Sequence, residues 1–543
     1  LTAYPRVLAV GDAAACVELG DAIDPALSAR VLALGRALAA EPLPGQIETV
    51  PSYRSLLVFF EPGRADWPVL RDHLLGRVAT AGAQAGEPGA LHTVPTRYGG
   101  EDGPDLASVA QRLDIGEDDL VRLHGASEYT ALMLGFMPGF AYLGNLDPRL
   151  ETPRLSTPRV RVPAGSVAIA ARQTGIYPSV SPGGWNLIGR TSLRLFDPLR
   201  DPPALILPGD RVRFVASDER PDAEPSSAAP AYAGPAAIEV LEPGLQTSVQ
   251  DLGRRGYRRL GVGWAGALDS TAARAANALV GNDAGEALLE CTLAGPRLRF
   301  LSATPFAVTG ADLGALLHRT DLGAWPVPLG LRVLARPGNE LAFTGRQRGC
   351  RAYLAFAGGL DVPRVLGSRS TDLVGGFGGL DGRALRAGDS LCLGPARPRA
   401  SEVEAWQPPE ASTGPARIRV VLGPQDDRIE PASVVRFLAE PYAVAAASNR
   451  VGCRLEGERL AHRGSAEILS DGMAPGSIQV PPDGQPIVML ADGPTTGGYP
   501  KLATVLSADL PLIAQLVPGV DSVRFEAVAL DEVGPERVAS RIT

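Results

Sequence analysis

Lysine is all but missing from this chain. Of its 52 basic residues 51 are arginine, and Lys501 is the single lysine. That scarcity excludes several chemistries. There is no GxxxxGKS/T loop to cradle a nucleotide phosphate. An amidase built on a Ser-Ser-Lys grouping finds no lysine in a suitable segment, and the Met-Lys-Met-like turn that carries biotin is absent. No GxSxG elbow occurs either. The five cysteines (Cys16, Cys291, Cys350, Cys392, Cys453) form no CxxC pair, and the five histidines form no HExxH. The thiols therefore read as free or buried in a reducing cytoplasm, and no metal site is expected. A net charge of −8 gives no basic footprint for nucleic acid and argues against an anionic membrane surface. No apolar run is long enough to span a bilayer, and no basic-then-apolar leader is visible, although residue 1 is Leu rather than Met.

Glycine (63) and proline (49) are what the chain has in excess, about a fifth of its 543 residues against roughly 12% in average usage. Both interrupt helices, so short strands joined by tight turns are expected. With 45% hydrophobic residues the chain can pack several cores, and its length suits three or four domains.

Residues 1–92 alternate short β-like runs (Val7–Val10, Ser55–Phe60) with helical patterns over Asp24–Ala40 and Trp67–Ala81, which predicts a small α+β domain for docking or support. A second domain spans 93–217. It carries short helices over Asp105–Leu113 and Glu117–His124, then an apolar strand from Tyr129 opening into a Gly/Pro loop. The run PRLSTPRVRVPAGSV follows, with Arg154, Arg159 and Arg161 on extended backbone. Residues 218–236 are Pro, Ala, Ser and acid without hydrophobic period, the composition of a linker. Strand candidates then fill 237–410, with one short helix at Thr271–Val280, and a last β domain covers 411–543.

Two of these domains share a pattern. Gly165–Arg190 (GSVAIAARQTGIYPSVSPGGWNLIGR) matches Gly476–Lys501 (GSIQVPPDGQPIVMLADGPTTGGYPK) at the Gly-Ser turn and again at the Gly-Gly-aromatic turn. LPGDRVRF further on answers VPGVDSVRF. Three landmarks in one order predict a duplicated module.

Gly-rich turns with single polar residues set into them expose backbone N–H groups that can hold an oxyanion. Around the first copy the candidate residues are His124, Arg159, Gln173, Tyr177 and Asn186. Around the second they are Arg450, Ser477, Gln479, Asp492, Thr495, Thr496 and Lys501. The opening of the second half adds Gln250, Asp251, Arg254, Asp269 and Asn277.

The phrases HGASEYTALMLGFMPGFAYLGNLDPRL and SPGGWNLIGRT resemble the carboxyltransferase-like protein once named allophanate hydrolase subunit 1. PGLQTSVQDLGRRGYRRLGV, AANALVGN, LLECT and GSIQVP…TTGGYPKLATV resemble subunit 2 of that pair. Nearly the whole chain is covered, as a fusion of the two. The resemblance implies a mainly β protein with tandem cyclophilin-like β-barrels and a small α+β domain. It implies one of three roles. The first is the B/C component of a bacterial ATP-dependent 5-oxoprolinase, which opens 5-oxoproline to glutamate with a LamB/YcsF-type partner. The second is the carboxyltransferase part of a urea carboxylase or urea amidolyase, with biotin on a partner. The third is a non-catalytic inhibitor of a sensor histidine kinase. ATP is then a requirement of the complex, and the family also allows a homo-oligomer in the cytoplasm. Two departures stand out: Asn449-Arg450-Val451-Gly452 replaces the usual Asp-Arg-Met-Gly, and Asp492-Gly493-Pro494 replaces the Asp-Arg-Gln of many oxoprolinase-type members. A lactam, a urea and a carboxylated biotin are all planar amide-like groups. For all three the expectation is the same. Arg450 or Lys501 holds a substrate carboxylate, turn N–H groups and Gln479 hold the reacting oxygen, and His124, Asp251 or Asp492 moves the proton.

Overall fold

Strand Ser55–Phe60 (SLLVFF) is buried along its whole length, and apolar after Ser55, because both of its faces are covered. It sits inside a four-stranded antiparallel sheet in the order Arg6–Val10, Ala14–Glu18, Ser55–Phe60, Gln46–Pro51. Leu56, Val58 and Phe60 pack on helices Pro25–Ala40 and Trp67–Thr80. Leu57 and Phe59 point the other way, toward Ala474 and Trp264 of the second half. The first helix starts where its signals place it: Asp24 accepts from the Ala26 and Leu27 amides at 2.6 and 3.1 Å, and Pro25 occupies the first turn. The computed structural model describes residues 4–64, 66–81, 89–219, 234–396, 403–409 and 414–530. Most of the expected linker (220–233) lies outside the described residues, as does part of the Pro-rich break near 396–415.

Two closed seven-stranded barrels follow the same plan, strand for strand. The first runs Leu91–Tyr98, Asn186–Arg190, Ser166–Ala170, Gln173–Ile176, Ala141–Gly144, Tyr129–Leu134, Arg211–Ala216. The second runs Ala416–Leu422, Lys501–Val505, Ser477–Gln479, Ile487–Met489, Gly452–Glu456, Tyr442–Val444, Ser522–Ala527. Each closes through one parallel pair between its first and last strands. Each also carries a two-stranded ribbon, Arg159–Val162 with Ser181–Gly183 in one and Asp471–Gly472 with Thr496–Gly497 in the other. The repeat seen at three sequence landmarks therefore extends over the whole barrel.

Between the barrels in sequence lie a six-stranded and a five-stranded antiparallel sheet over one apolar core that includes Phe300, Phe306 and Phe356. Helix Ser270–Leu279 leans on strands Thr304–Asp312 and Arg348–Phe356, and Gly281 with φ 77° lies just past its end. All five cysteines are buried and unpaired. Among the described residues no helix is long and apolar enough to cross a membrane.

Candidate active site

The first barrel packs on the second half along a seam that admits no side chain at two glycines, one facing the second barrel and one in the opening segment of the second half. A Cβ on Gly135 would lie 2.1 Å from Thr496 Oγ1, and one on Gly261 would lie 2.2 Å from the Met137 carbonyl oxygen. The Gly139 amide donates to the Leu260 carbonyl at 2.9 Å across the same junction. Tyr142 of the first barrel reaches toward Thr496 of the second, and its ring lies 5.9 Å from Trp185, which directly follows Gly183-Gly184. Both Gly-Gly turns thus border one seam. Phe140 meets Tyr142, Tyr177 and Trp185 edge-on at centroid distances of 4.8, 5.2 and 5.7 Å, the arrangement ring quadrupoles favour. Gln173 accepts from the Tyr53 hydroxyl at 3.0 Å, which ties the N-terminal domain to the same wall.

Several buried polar atoms here have no hydrogen-bond partner among the described residues: Ser181 Oγ, Asn186 Oδ1, Arg159 Nη1, Ser477 Oγ and Thr495 Oγ1. A buried polar group left unpaired costs about 1–3 kcal/mol, so folded proteins keep few of them. All five belong to residues set in the Gly-rich sequence patterns. They lie in or beside the two ribbons and the strands that those turns feed.

Lys501 begins the strand after TTGGYP and is fully buried. Its Nζ lies 3.4 Å from Asp471 Oδ2, where Gln425 Nε2 also donates at 3.3 Å. The other Asp471 oxygen accepts from the Ser55 hydroxyl and from the Gly472 amide at 2.8 Å. Burial favours the neutral acid, but Lys501, Ser55, Arg54 and the Gly472 amide outweigh it and hold Asp471 below the usual carboxylate range. Burial, then the Asp471 charge, pushes the neighbouring Cys16 thiol up. Cys16, Glu18 and Asp471 are the one metal-ligand-like grouping among the described residues. Arg6 and Arg54 sit on Glu18 and Lys501 on Asp471, so three cations already serve two carboxylates. A cavity of about 310 Å³ lined by Arg6, Arg54, Gln425 and Arg428 opens beside this pair without reaching the lysine.

Arg450 is equally occupied. It grips Asp492 through Nε and Nη2, both at 2.9 Å, donates to Glu290 through Nη1, and reaches the Gly266 carbonyl at 2.7 Å. Glu290 also accepts from the Tyr353 hydroxyl at 2.8 Å and the Leu268 amide at 2.9 Å. Burial opposes the charge on Glu290, yet Arg450 and Arg351 keep its pKa low, whereas burial dominates at Asp492 and raises it. Both cations expected to grip a substrate carboxylate are thus engaged in buried ion pairs, and that of Arg450 with Glu290 spans two parts of the fold.

The proton-transfer candidates are also committed elsewhere. His124 is wholly inside the first barrel, between the Tyr98 hydroxyl at 2.7 Å and Thr174 Oγ1 at 2.9 Å, and burial lowers its pKa to about 3. Asp251 organises a turn, accepting from Ser368 Oγ, the Arg369 amide and the Gly253 amide, each at 2.7 Å. Gln250 accepts from the Gly266 amide at 3.0 Å, and Arg254 donates to the Ser370 carbonyl at 2.7 Å. Asp269 caps helix Ser270–Leu279 through the Ala272 amide at 2.9 Å, and Asn277 donates to the Glu286 carbonyl at 2.8 Å. These five knit the Gly-rich opening of the second half to its sheets. Gln479 braces its own turn at the Tyr499 carbonyl, 3.3 Å away.

Other polar residues matter here that the sequence patterns did not mark. Asp471, Ser55 and Glu290 complete the two buried clusters, and Glu290 sits inside the LLECT phrase. Glu48 accepts from the Arg258 amide at 3.0 Å and from the Trp264 indole, which fastens the RRGYRRL segment to the N-terminal domain. Asp372, beside Arg254, is pushed up to about 6 by burial and by the Asp492 charge against the pull of Arg254. Its only sequence signal is the Gly-rich run that follows it.

The family model for a carboxyltransferase domain, subdomains C and D, matches residues 5–206, and the one for subdomains A and B matches 260–527. The B-type 5-oxoprolinase subunit of Bacillus subtilis is 38% identical over 231 residues, which are 40% of this chain and 96% of that protein. The C-type 5-oxoprolinase subunit of Escherichia coli is 41% identical over 295 residues, 54% of this chain and 92% of that protein. The urea amidolyase of Saccharomyces cerevisiae is 37% identical over 314 residues, 54% of this chain but 16% of that much longer protein. The crystal structure of the protein TTHA0988 superposes with a TM-score of 0.83 at 38% identity, covering 94% of this chain and 99% of that one. Two matched halves, one duplicated barrel plan and one shared seam lead to the same conclusion: the chain belongs to the carboxyltransferase-domain family that includes the B-type and C-type 5-oxoprolinase subunits, with both types joined in one polypeptide.

Proposed function

We propose that this chain is the fused B/C component of an ATP-dependent 5-oxoprolinase, opening 5-oxoproline to glutamate together with a LamB/YcsF-type partner. One observation carries the reading: both halves are present at nearly the full length of their B-type and C-type relatives, and they pack face to face along the seam. The lactam is a planar amide whose oxygen gains charge when the ring is attacked. Ser181 Oγ, Thr495 Oγ1 and Arg159 Nη1 are hydrogen-bond donors at the seam without a partner among the described residues. Donors placed at such an oxygen are typically each responsible for about 10²–10³ in rate. ATP belongs to the assembled complex in this reading; the chain has no Walker loop, and its lysine is consumed by Asp471.

A urea carboxylase role is the second reading, favoured by Asp492-Gly493-Pro494 ahead of TTGGYP and by the likeness to urea amidolyase. Incubation with ATP, 5-oxoproline and the LamB/YcsF-type partner, with glutamate measured, tests the first. A parallel reaction with urea, bicarbonate and a biotin carboxylase partner tests the second. Glutamate formation that requires all components is the expected result. Carboxylation of urea without any glutamate would replace the first reading by the second.

A further inference from the structure

One cation at the seam, Arg154, belongs to neither of the buried clusters above. Its backbone is fixed against the first Gly-Gly turn from both sides: Asn186 Nδ2 donates to the Pro153 carbonyl at 2.8 Å, and the Leu155 amide donates to the Gly184 carbonyl at 2.8 Å. Arg159 approaches the same turn through the ribbon, where it pairs in register with Gly183. One guanidinium nitrogen of Arg159 is held by Asp105 at 2.6 Å, while Nη1 is buried without a partner among the described residues. Arg154 itself is exposed, and its guanidinium makes no hydrogen bond or ion pair with any described residue.

We infer that Arg154, with Nη1 of Arg159, binds the carboxylate of the substrate at the rim of the aromatic wall. This rests on the 5-oxoproline reading for the identity of the ligand. Phe136, 37% exposed, shares the rim and meets Phe140 and Tyr177 edge-on at 5.6 and 6.4 Å, so an apolar ring face lies next to the cations. A five-membered lactam acid presents that combination, a planar ring with a carboxylate on one edge. Burial raises the pKa of Tyr53, Tyr142 and Tyr177, and the positive charge of Arg154 opposes that rise in all three, which places the guanidinium near their hydroxyls. Arg450 and Lys501 cannot take the role, because removing either from its buried carboxylate leaves that charge uncompensated.

The test uses the full chain assembled with its partner and compares wild type with Arg154→Gln and Arg154→Lys. A charge-assisted hydrogen bond contributes about 1.5–3 kcal/mol, so Arg154→Gln is expected to raise KM for 5-oxoproline about 10–100-fold with kcat nearly unchanged. Arg154→Lys should recover part of the loss. Calorimetric titration of the chain with 5-oxoproline and with 5-oxoprolinamide gives a second readout. Wild type should prefer the acid, and Arg154→Gln should lose that preference while keeping its melting temperature. Glutamate formation with an unaltered KM in Arg154→Gln would overturn the inference and leave the function standing. So would a wild-type chain that does not distinguish acid from amide. Arg154-dependent binding of the acid without any glutamate formation would keep the carboxylate site and overturn the function.

Discussion

Replacing Lys501 by methionine is expected to cost stability rather than chemistry. The ε-ammonium is fully buried, 3.4 Å from an Asp471 that is also buried. Methionine matches the stem but leaves the carboxylate to the Ser55 hydroxyl, Gln425 and the Gly472 amide. Removing one member of a buried pair costs about 3–5 kcal/mol, because the other charge stays desolvated. In units of this size each kcal/mol moves the melting temperature by about 2–4 °C, so a fall of about 6–20 °C is expected. Calorimetry should show it in the transition that contains the second barrel, and Lys501→Met with Asp471→Asn should recover much of it. The pH dependence has a definite sign. Asp471 is depressed in the fold, so its contribution is complete above the unfolded value of about 3.9 and is lost as pH falls through the lower folded value. Because this is the only lysine, acylation with an amine-reactive reagent followed by peptide-level mass spectrometry reads it apart from the one other amine, the α-amino group. The folded protein should leave it unmodified, and the unfolded protein should expose it. Rapid acylation of Lys501 in the native chain would refute the reasoning. So would a Lys501→Met variant that melts within about 1 °C of wild type and yet is inactive.

His124→Phe should leave the Tyr98 hydroxyl unpaired, at about 1–3 kcal/mol, while Thr174 Oγ1 keeps its bond to the Ala168 carbonyl; denaturant unfolding measures the loss. Since His124 titrates at about 3 in the fold, its stabilising effect is complete above its ordinary value of about 6.5 and declines as pH falls toward 3; the variant should lose that slope, and no activity limb near neutrality should depend on it. Arg450→Met should destabilise by about 3–5 kcal/mol by stranding Asp492 and Glu290 together, and Arg450→Lys, which cannot grip Asp492 with two nitrogens, should restore only part; thermal melts of the three proteins check it. Gly135→Ala should wedge the barrels apart at Thr496 for about 1–3 kcal/mol, seen as a lower melting temperature that Thr496→Ala partly relieves.

Much of this protein could be read from local pattern. The Gly and Pro excess announced short strands and turns. Asp24-Pro25 marked the start of a helix, and the apolar run Ser55–Phe60 marked a strand. The paired Gly-Ser and Gly-Gly-aromatic turns disclosed a duplicated barrel, because such turns are built from neighbouring residues whose backbone conformations their own side chains decide. Charge partners were not legible in that way. Lys501 is answered by Asp471 thirty residues before it, which Ser55 of another domain also holds, while Arg450 is answered by Glu290 from the sheets that lie between the barrels in sequence. A lone lysine in a Gly-rich turn therefore looked catalytic in sequence and is enclosed in the structure. Arg154 was legible only as one of three arginines on extended backbone, and among the described residues it has no partner beside the seam. Sequence determined the family, the two barrels and the turns, since each depends on residues close in the chain. Only the tertiary structure decided which polar groups spend their hydrogen bonds on one another and which remain open to a ligand, because desolvation and pairing depend on neighbours that the chain brings together from hundreds of residues apart.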